Sequence, residues 1–195
     1  MVWPEPVTLR GEHASLEPLS SSHHDGLVEA ATDGGLWKLW FTSIPKPDAM
    51  ASWMDQLTAQ QDVLPFAVLD RDGRPVGITT YLNIDAKNHR LEIGHTWYAR
   101  RVQRTGLNTE CKLMLLRHAF ESLNCIAVEF RTSAMNHRSR AAIERLGAKL
   151  DGVLRSHKRH DNGTLRDTHV YSIIAVEWPT VKANLEAKLA SMPSV

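Results

Sequence analysis

The 195-residue sequence is poor in the features that mark several classes of protein. It has only two cysteines, Cys111 and Cys125, both in apolar surroundings. A disulfide framework is therefore not expected, and a reducing cytoplasm is the simpler interpretation. No apolar run approaches the roughly 18 residues that a membrane span needs. Residues 1–6 lack the basic and apolar regions of a signal peptide. We expect a cytoplasmic protein with no membrane partner.

An excess of charge of one sign is also missing. The chain has 23 lysines and arginines against 22 aspartates and glutamates, so its formal net charge is +1. This balance gives no overall attraction to nucleic acid, and the aromatic interleaving typical of single-strand binding is absent. The basic runs at 131–145 and 155–160 are interpreted as solvated faces. For the second run, the functional alternative is a surface for an acidic partner.

The ten histidines do not form a recognisable metal motif. No pair has the H-E-x-x-H arrangement, and His157-x-x-His160 lacks a clear third ligand. We therefore expect no catalytic metal.

The first half of the sequence predicts a strand, two helices and an antiparallel meander. Ser21 or Ser22 can cap the first helix and Asp48 the second. The turn Asp70-Arg71-Asp72-Gly73 between two apolar runs predicts a hairpin. The predicted elements are a strand at 7–19, helices ending near Ala31 and Gln61, and strands at 64–69, 76–82 and 91–98.

The second half predicts a strand–helix–strand unit followed by a helix, a strand pair and a closing helix. The helix at 107–123 is the strongest, because its apolar residues recur at helical spacing. Asn136 or His137 begins a short helix that Gly147 ends. The other elements are strands near 126–131, 150–155 and 169–174, and a helix at 181–189. This order predicts an α/β (α+β) fold with a mixed, mostly antiparallel sheet flanked by helices. The unit at 91–130 should be a right-handed crossover joining parallel strands.

A basic loop before the helix at 107–123 favours a phosphate site. Arg100, Arg101 and Arg104 precede the helix, and Gly106 lies one residue before it. Helix N-termini leave N–H groups unpaired and carry partial positive charge. A glycine at that point lets the backbone approach a bulky anion, so the loop suits a phosphate or diphosphate.

The spacing Gln103-x-x-Gly106-x-Asn108 resembles the Q/R-x-x-G-x-G/A signature of the GNAT N-acetyltransferase superfamily, which wraps the coenzyme A diphosphate. It differs at Asn108, where the family has a small residue, and at Arg104, where Rim-type members often carry glycine. The flanking segments resemble the RimJ/RimL-like branch in order. These are Glu92-Ile93-Gly94-His95-Thr96-Trp97, the Asn136 to Ala148 helix, Gly152 to Arg155, and the hairpin residues Gly163, Arg166-Asp167 and Tyr171-Ser172.

The resemblance implies one GNAT domain over residues 1–195, with a C-terminal helix at about 180–191. It implies acetyl-coenzyme A as co-substrate and a primary amine as acceptor, either a protein N-terminus or a small molecule. The amine would attack the thioester directly in a ternary complex. The implied coenzyme-binding residues are Thr96, Trp97, Tyr98, Gln103, Arg104, Thr105, Gly106, Leu107, Asn108, Thr109 and Asn136, with Arg138 or Arg140 on the 3′-phosphate.

Four residues are candidates for the proton transfers that this reaction needs. Glu92 is the first candidate for the general base, with His95 or water as the alternative. Each also has a structural interpretation, as an ordinary strand carboxylate or a packing histidine. The resemblance places the Ser139 hydroxyl near the coenzyme sulfur as an acid, although it could serve only backbone groups. Tyr171 is a further proton donor. The resemblance places the acceptor pocket near Trp37, Trp40 and Phe41.

A non-catalytic acyl-coenzyme A-binding or sensory protein on the same fold is the alternative function. It would keep the basic loop and the Asn136 helix but would not need Glu92 or Ser139. A homodimer is an expectation from the resemblance alone.

Overall fold

A computed structural model describes residues 3–42, 44–160 and 162–192 and contains one sheet with helices on it. The strands are β1 (Leu9–Arg10), β2 (Ser15–Pro18), β3 (Leu64–Leu69), β4 (Pro75–Asp85), β5 (Arg90–Tyr98), β6 (Ala127–Ser133), β7 (Lys149–Arg159) and β8 (Leu165–Ile174). The helices are α1 (His24–Thr32), α2 (Met50–Thr58), α3 (Leu107–Arg117), α4 (His137–Leu146) and α5 (Trp178–Ala190).

The strand order in the sheet is β1-β2-β3-β4-β5-β6-β8-β7. Neighbouring strands are antiparallel except β5 and β6, which α3 connects and which run parallel. The predicted mixed, mostly antiparallel sheet and its parallel crossover are therefore confirmed.

Helices cover both faces of the middle of the sheet. Residues 76–81 of β4 are all buried, as expected for a strand covered on both sides. The hydroxyl of Tyr81 donates to the carbonyl of Leu115 at 2.6 Å, so α3 lies over the face that carries Tyr81. α5 packs beside α3, and α1 and α2 contact β3 and β4 from the other face. The apolar core fills both layers.

The strand predicted at 7–19 is wrong, because the chain turns back within it and forms β1 and β2. The carboxylate of Glu110 in α3 explains the turn. Its oxygens accept hydrogen bonds from the backbone N–H groups of Glu12, His13 and Ala14 at 2.7, 2.6 and 2.8 Å. A contact across about a hundred residues thus decides this local structure.

Several element ends also differ from the prediction. α3 is regular only to Arg117 and continues as a π-helical turn at His118–Ser122. α1 and α2 each begin with a 3₁₀ turn, and α2 ends at Thr58. β7 and β8 are longer than predicted because an edge hairpin can pair through polar, exposed residues. Of the predicted connection Asp161-Asn162-Gly163, Asp161 lies outside the described residues.

Candidate active site

A crevice opens between the two parallel strands. β5 and β6 pair only from Arg90 to Glu92 and from Ala127 to Glu129, although both strands continue, to Tyr98 and Ser133. Beyond Glu92, β5 pairs with β4 on one side and, among the residues that the structure describes, has no partner strand on the other. Unpaired backbone groups of this kind can bind an extended ligand.

Two helices begin at the open end of this crevice. α3 follows β5 and α4 follows β6, and the carboxyl ends of parallel strands lie at the same edge of a sheet. Both N-termini therefore face the region where the strands have parted. Their unpaired N–H groups and partial positive charge suit an anionic ligand.

The loop before α3 is shaped by its own side chains. The side-chain amide of Gln103 donates to the carbonyl of Tyr98 at 2.8 Å. The hydroxyl of Thr105 donates to the carbonyl of Val102 at 2.7 Å and accepts from the N–H of Leu107 at 3.3 Å. Arg104 has φ +65°, a left-handed conformation that glycine adopts without strain. A glycine at this position would form the same turn.

Gly106 is the N-cap of α3 and is buried. A Cβ atom there would lie 3.2 Å from the sulfur of Met192 and 3.3 Å from the His13 ring. The glycine therefore lets the N-terminal hairpin and the end of α5 pack against the loop. Asn108 and Thr109 follow in the first turn and are partly exposed, whereas Leu107 is buried.

The start of α4 combines a cap with a free hydroxyl. The Oδ1 atom of Asn136 accepts from the N–H of Ser139 at 3.0 Å, as in an ordinary N-cap. The Ser139 hydroxyl has no hydrogen-bond partner in the part of the chain that the structure describes. Arg138 is exposed. Arg140 instead donates to the hydroxyl of Tyr171 and the carbonyl of Ala134, both at 3.4 Å.

Glu92 lies where β5 and β6 part, and only 5% of it is exposed. Its Oε2 atom accepts from the side-chain amide of Asn83 at 2.7 Å and is 3.4 Å from Nε of Arg131. Burial raises the pKa of Glu92, and the contacts with Asn83 and Arg131 partly oppose this. A carboxylate with a raised pKa is a better proton acceptor than an ordinary one.

His95 lies three residues further along β5 at a bulged position with φ +46°. Its ring centroid is 6.2 Å from that of Trp53 in α2. Desolvation by the surrounding protein, and then the positive charges of Lys158 and Arg166, lower the pKa of His95, although the residue is itself exposed. The imidazole is therefore neutral at physiological pH and can accept a proton.

Comparison with known proteins identifies the family. Residues 14–149 match the model of the acetyltransferase (GNAT) domain, which covers more than half of the chain. The chain belongs to the GNAT acetyltransferase family. The family and fold predicted from the Gln103 loop and its flanking segments are confirmed.

Relatives of this GNAT chain include one curated protein and many solved structures. It is 33% identical over 107 residues to "Putative ribosomal N-acetyltransferase YdaF" of Bacillus subtilis (strain 168), a match over 55% of this chain and 57% of the relative. The match thus spans little more than half of that relative. The ribosomal acetyltransferase in its name agrees with the RimJ/RimL-like branch predicted from the sequence.

Two solved structures resemble nearly the whole chain. The GCN5-related N-acetyltransferase from Brucella melitensis is 29% identical with a TM-score of 0.88, over 96% of this chain and 87% of that one. A protein described as a putative acetyltransferase from T. thermophilus is 32% identical with a TM-score of 0.85, over 96% and 99% of the two chains.

Tyr171 is separated from Glu92 in this GNAT fold. Tyr171 pairs with Phe130, whereas Glu92 pairs with Glu129, and adjacent residues of β6 face opposite sides of the sheet. The Tyr171 hydroxyl lies under α4 and donates to Glu144 at 2.7 Å. Burial raises its pKa. The structure therefore does not bring this predicted proton donor to the candidate base.

β5 offers its backbone, rather than most of its side chains, to the crevice. The side chains of Trp97 and Tyr98 are buried in the core. The hydroxyl of Thr96 is bonded to that of Thr79 at 2.8 Å and accepts from Nζ of Lys112 at 2.7 Å. The predicted contacts of residues 96–98 with the coenzyme would thus come from main-chain groups.

Sequence reasoning missed Lys112, which lies in α3 and is only 6% exposed. Its ammonium donates to Thr79 at 3.2 Å as well as to Thr96, and burial lowers its pKa to about 8. It is the one charged residue in the otherwise apolar run Cys111–Leu116. A single lysine within an apolar stretch of helix was the available signal.

Within residues 3–42, 44–160 and 162–192, no group of three or more histidine, cysteine, aspartate or glutamate residues could hold a metal ion. Within the same ranges, none of the helices combines the length and apolar character needed to cross a membrane.

Proposed function

We propose that this chain transfers an acetyl group from acetyl-coenzyme A to a primary amine by direct attack in a ternary complex. The crevice between β5 and β6 is the observation that carries the proposal. It begins at a buried glutamate and opens toward the N-termini of α3 and α4.

The coenzyme would bind along this crevice with its diphosphate at α3. The loop residues implied by the resemblance are Gln103, Arg104, Thr105, Gly106, Leu107, Asn108 and Thr109. Their backbone N–H groups and the exposed Arg104 would hold the diphosphate. The main chain of Thr96, Trp97 and Tyr98 would bind the pantetheine arm together with Asn136. Arg138 is better exposed than Arg140 for the 3′-phosphate, since Arg140 is already bonded to Tyr171.

Glu92 would accept the proton of the attacking amine, directly or through water. Primary amines are mostly protonated at neutral pH, so a base with a raised pKa is useful. His95 is the alternative acceptor. Ser139 would donate a hydrogen bond or proton to the departing thiolate, because its hydroxyl is not otherwise engaged. Each proton transfer contributes about 10²–10⁴-fold, and holding both reactants together contributes further.

The acceptor remains an amine of either kind, a protein N-terminus or a small molecule.

We also propose that the protein is a homodimer. The edge strand β7 supports this, because its Leu150, Val153 and Leu154 are exposed apolar residues.

The test is release of free thiol from acetyl-coenzyme A with a panel of amines and peptides. Glu92→Gln should lower kcat by roughly 10²–10⁴-fold, with the coenzyme affinity unchanged. The matched control is Glu186→Gln, which removes a carboxylate from the exposed pair with Arg117 and should keep full activity.

Coenzyme binding without thiol release for any acceptor would contradict the enzyme and favour the non-catalytic alternative. Replacing Gly106 with leucine should weaken coenzyme binding, because the added side chain would meet Met192 and His13 and displace the start of α3. Unchanged affinity would contradict the placement of the diphosphate there.

A further inference from the structure

The face of the sheet that carries Glu92 also carries a row of cations. Glu92 is in register with Glu129, and Arg131 follows on the same face of β6. Arg131 pairs with Val170 in β8, and residues at even spacing place Arg166 on that face too. Arg166 in turn pairs with Lys158 in β7. The β7–β8 hairpin thus brings two cations to the open end of the crevice.

Arg166 and Lys158 differ from their neighbour Arg131 in their ion pairing. Arg131 has a carboxylate partner, since its guanidinium is 2.9 Å from Glu129. In the described ranges, by contrast, no carboxylate lies within 4.0 Å of the charged group of Arg166 or Lys158. The Nε atom of Arg166 is buried and has no hydrogen-bond partner among the same residues.

A buried donor without a partner is costly, and folded proteins usually satisfy such groups. The charge of Arg166 acts on both Glu92 and His95, and that of Lys158 does the same. The two cations therefore lie close to the candidate base. Together they make the approach to it electropositive.

An aromatic loop borders the same region. The ring centroid of Trp40, in the segment after α1, is 5.1 Å from that of His160 at the end of β7. Phe41 packs edge-on against Trp40 at 5.6 Å. Trp40 and Phe41 thus lie near the end of β7 that carries Lys158, and a charge-assisted hydrogen bond partly shielded from solvent is stronger than one in open solvent.

We propose that the acceptor amine carries an anionic group, a carboxylate or a phosphate, which binds Arg166 and Lys158 while the amine faces Glu92. This rests on the proposed function. The amine nitrogen forms its bond to the thioester carbon, the carbon–sulfur bond breaks, and the thiolate leaves. The amine's proton passes to Glu92 or water. The anionic group takes no part in the bond changes and fixes the orientation.

The first measurement compares acceptors that differ in this charge, with each rate corrected for the fraction of unprotonated amine, because the carboxylate also raises the pKa of the α-amine. Phenylalanine is compared with phenylalaninamide, which distinguishes a small-molecule source of the anion. A peptide beginning Ser-Glu is compared with one beginning Ser-Gln, which distinguishes a protein N-terminus. In at least one pair, the acidic member should have a kcat/KM about tenfold higher or more. Equal values within both pairs would overturn the proposal.

The second measurement assigns the effect to the hairpin. Arg166→Gln should raise KM for the acidic acceptor about tenfold and leave KM for its neutral partner unchanged. Arg166→Lys should restore part of the difference. The control Arg159→Gln removes the same charge from the adjacent position of β7, which faces the other side of the sheet, and should have no effect. An equal loss for both acceptors, or the same loss in the control, would contradict the assignment.

Failure of the proposed function has a different signature. If no amine in either pair releases thiol, binding of the same four compounds to the coenzyme-bound protein is measured by calorimetry. Tighter binding of the acidic members that Arg166→Gln abolishes would support the anion site without any turnover. The absence of such a difference would overturn it.

Discussion

Lys112 places a positive charge in the apolar space between α3 and the sheet. Its folded-state pKa of about 8 lies below the ordinary 10.5. The unfolded chain therefore binds the proton more tightly than the folded chain does. The buried charge destabilises the fold fully below pH 8, and the penalty disappears as the pH rises toward 10.5.

Lys112→Met should accordingly stabilise the protein at pH 7, by up to about 3 kcal/mol. The hydroxyls of Thr79 and Thr96 keep their mutual hydrogen bond in the variant. Urea unfolding at pH 7 and pH 10 provides the measurement, and the advantage should shrink at the higher pH. Lys87→Met, at an exposed turn, is the control. A pH-independent difference would show that the ammonium is not held as a strained charge.

Asn83 lies in β4 with a left-handed backbone conformation, and its side chain affects the pKa of Glu92. It has φ +49°, and its amide hydrogen bond lowers the pKa of Glu92 against the larger effect of burial. Asn83→Gly keeps the backbone conformation and removes the amide. The pKa of Glu92 should then rise, so the acid limb of the kcat/KM profile should move to higher pH.

The control for this variant is Asn88→Gly, which removes a similar amide that binds Asp85 in the neighbouring turn. Its pH profile should match that of the wild type. If the acid limb stays in place in Asn83→Gly as well, Glu92 is not the group whose ionisation limits the reaction.

At the scale of elements, α3 holds the N-terminal hairpin through one side chain. Glu110 accepts three backbone N–H groups from the turn between β1 and β2, and only 7% of it is exposed. Glu110→Gln replaces one acceptor oxygen with a donor, which would face those N–H groups. We expect the free energy of unfolding to fall by about 2–4 kcal/mol, measured by urea denaturation.

The exposed ion pair between Arg117 and Glu186 provides the control for the loss of unfolding free energy in Glu110→Gln. Glu186→Gln should cost less than about 1 kcal/mol. Similar losses in the two variants would mean that the three hydrogen bonds of Glu110 contribute little net stability.

The sequence predicts elements well where a local pattern decides them. β3 has the predicted bounds, and Asn136 and Gly147 bound α4 as expected. The β1–β2 turn was missed because the distant Glu110 stabilises it. Ile126 was predicted to begin the strand near 126–131, but it precedes β6 and is 56% exposed. Its environment depends on loops that pack only in the folded chain.

In the candidate site too, the residues in local motifs could be predicted from the sequence, whereas the contacts between distant segments could not. The loop at Gln103 and the base candidate Glu92 lie in contiguous motifs, so the sequence could single them out. The partners Asn83 and Arg166 meet Glu92 only through strand register. The register also puts Tyr171 on the other face, a separation that spacing along the chain does not reveal.

At the scale of the whole molecule, β7 is an edge strand with exposed apolar side chains. Sedimentation equilibrium should therefore give the proposed homodimer a mass of about twice the 21.9 kDa of the chain. Leu154→Lys should shift the protein toward the monomer, because it places a charge on that edge. Val176→Lys changes an apolar residue that is 82% exposed in the turn after β8, outside the β7 strand, and should leave the dimer intact. A monomeric wild type would contradict the proposal.

Because α3 bears both the proposed coenzyme site and Glu110, the crevice and the N-terminal hairpin are coupled. A ligand that stabilises the first turn of α3 also stabilises the position of the Glu110 carboxylate, which lies in the same turn, and the coupling is reciprocal. The backbone amide protons of Glu12, His13 and Ala14 should then exchange with solvent more slowly when the coenzyme is bound. Hydrogen exchange at an outer edge of the sheet would thus report occupancy of a crevice near its middle.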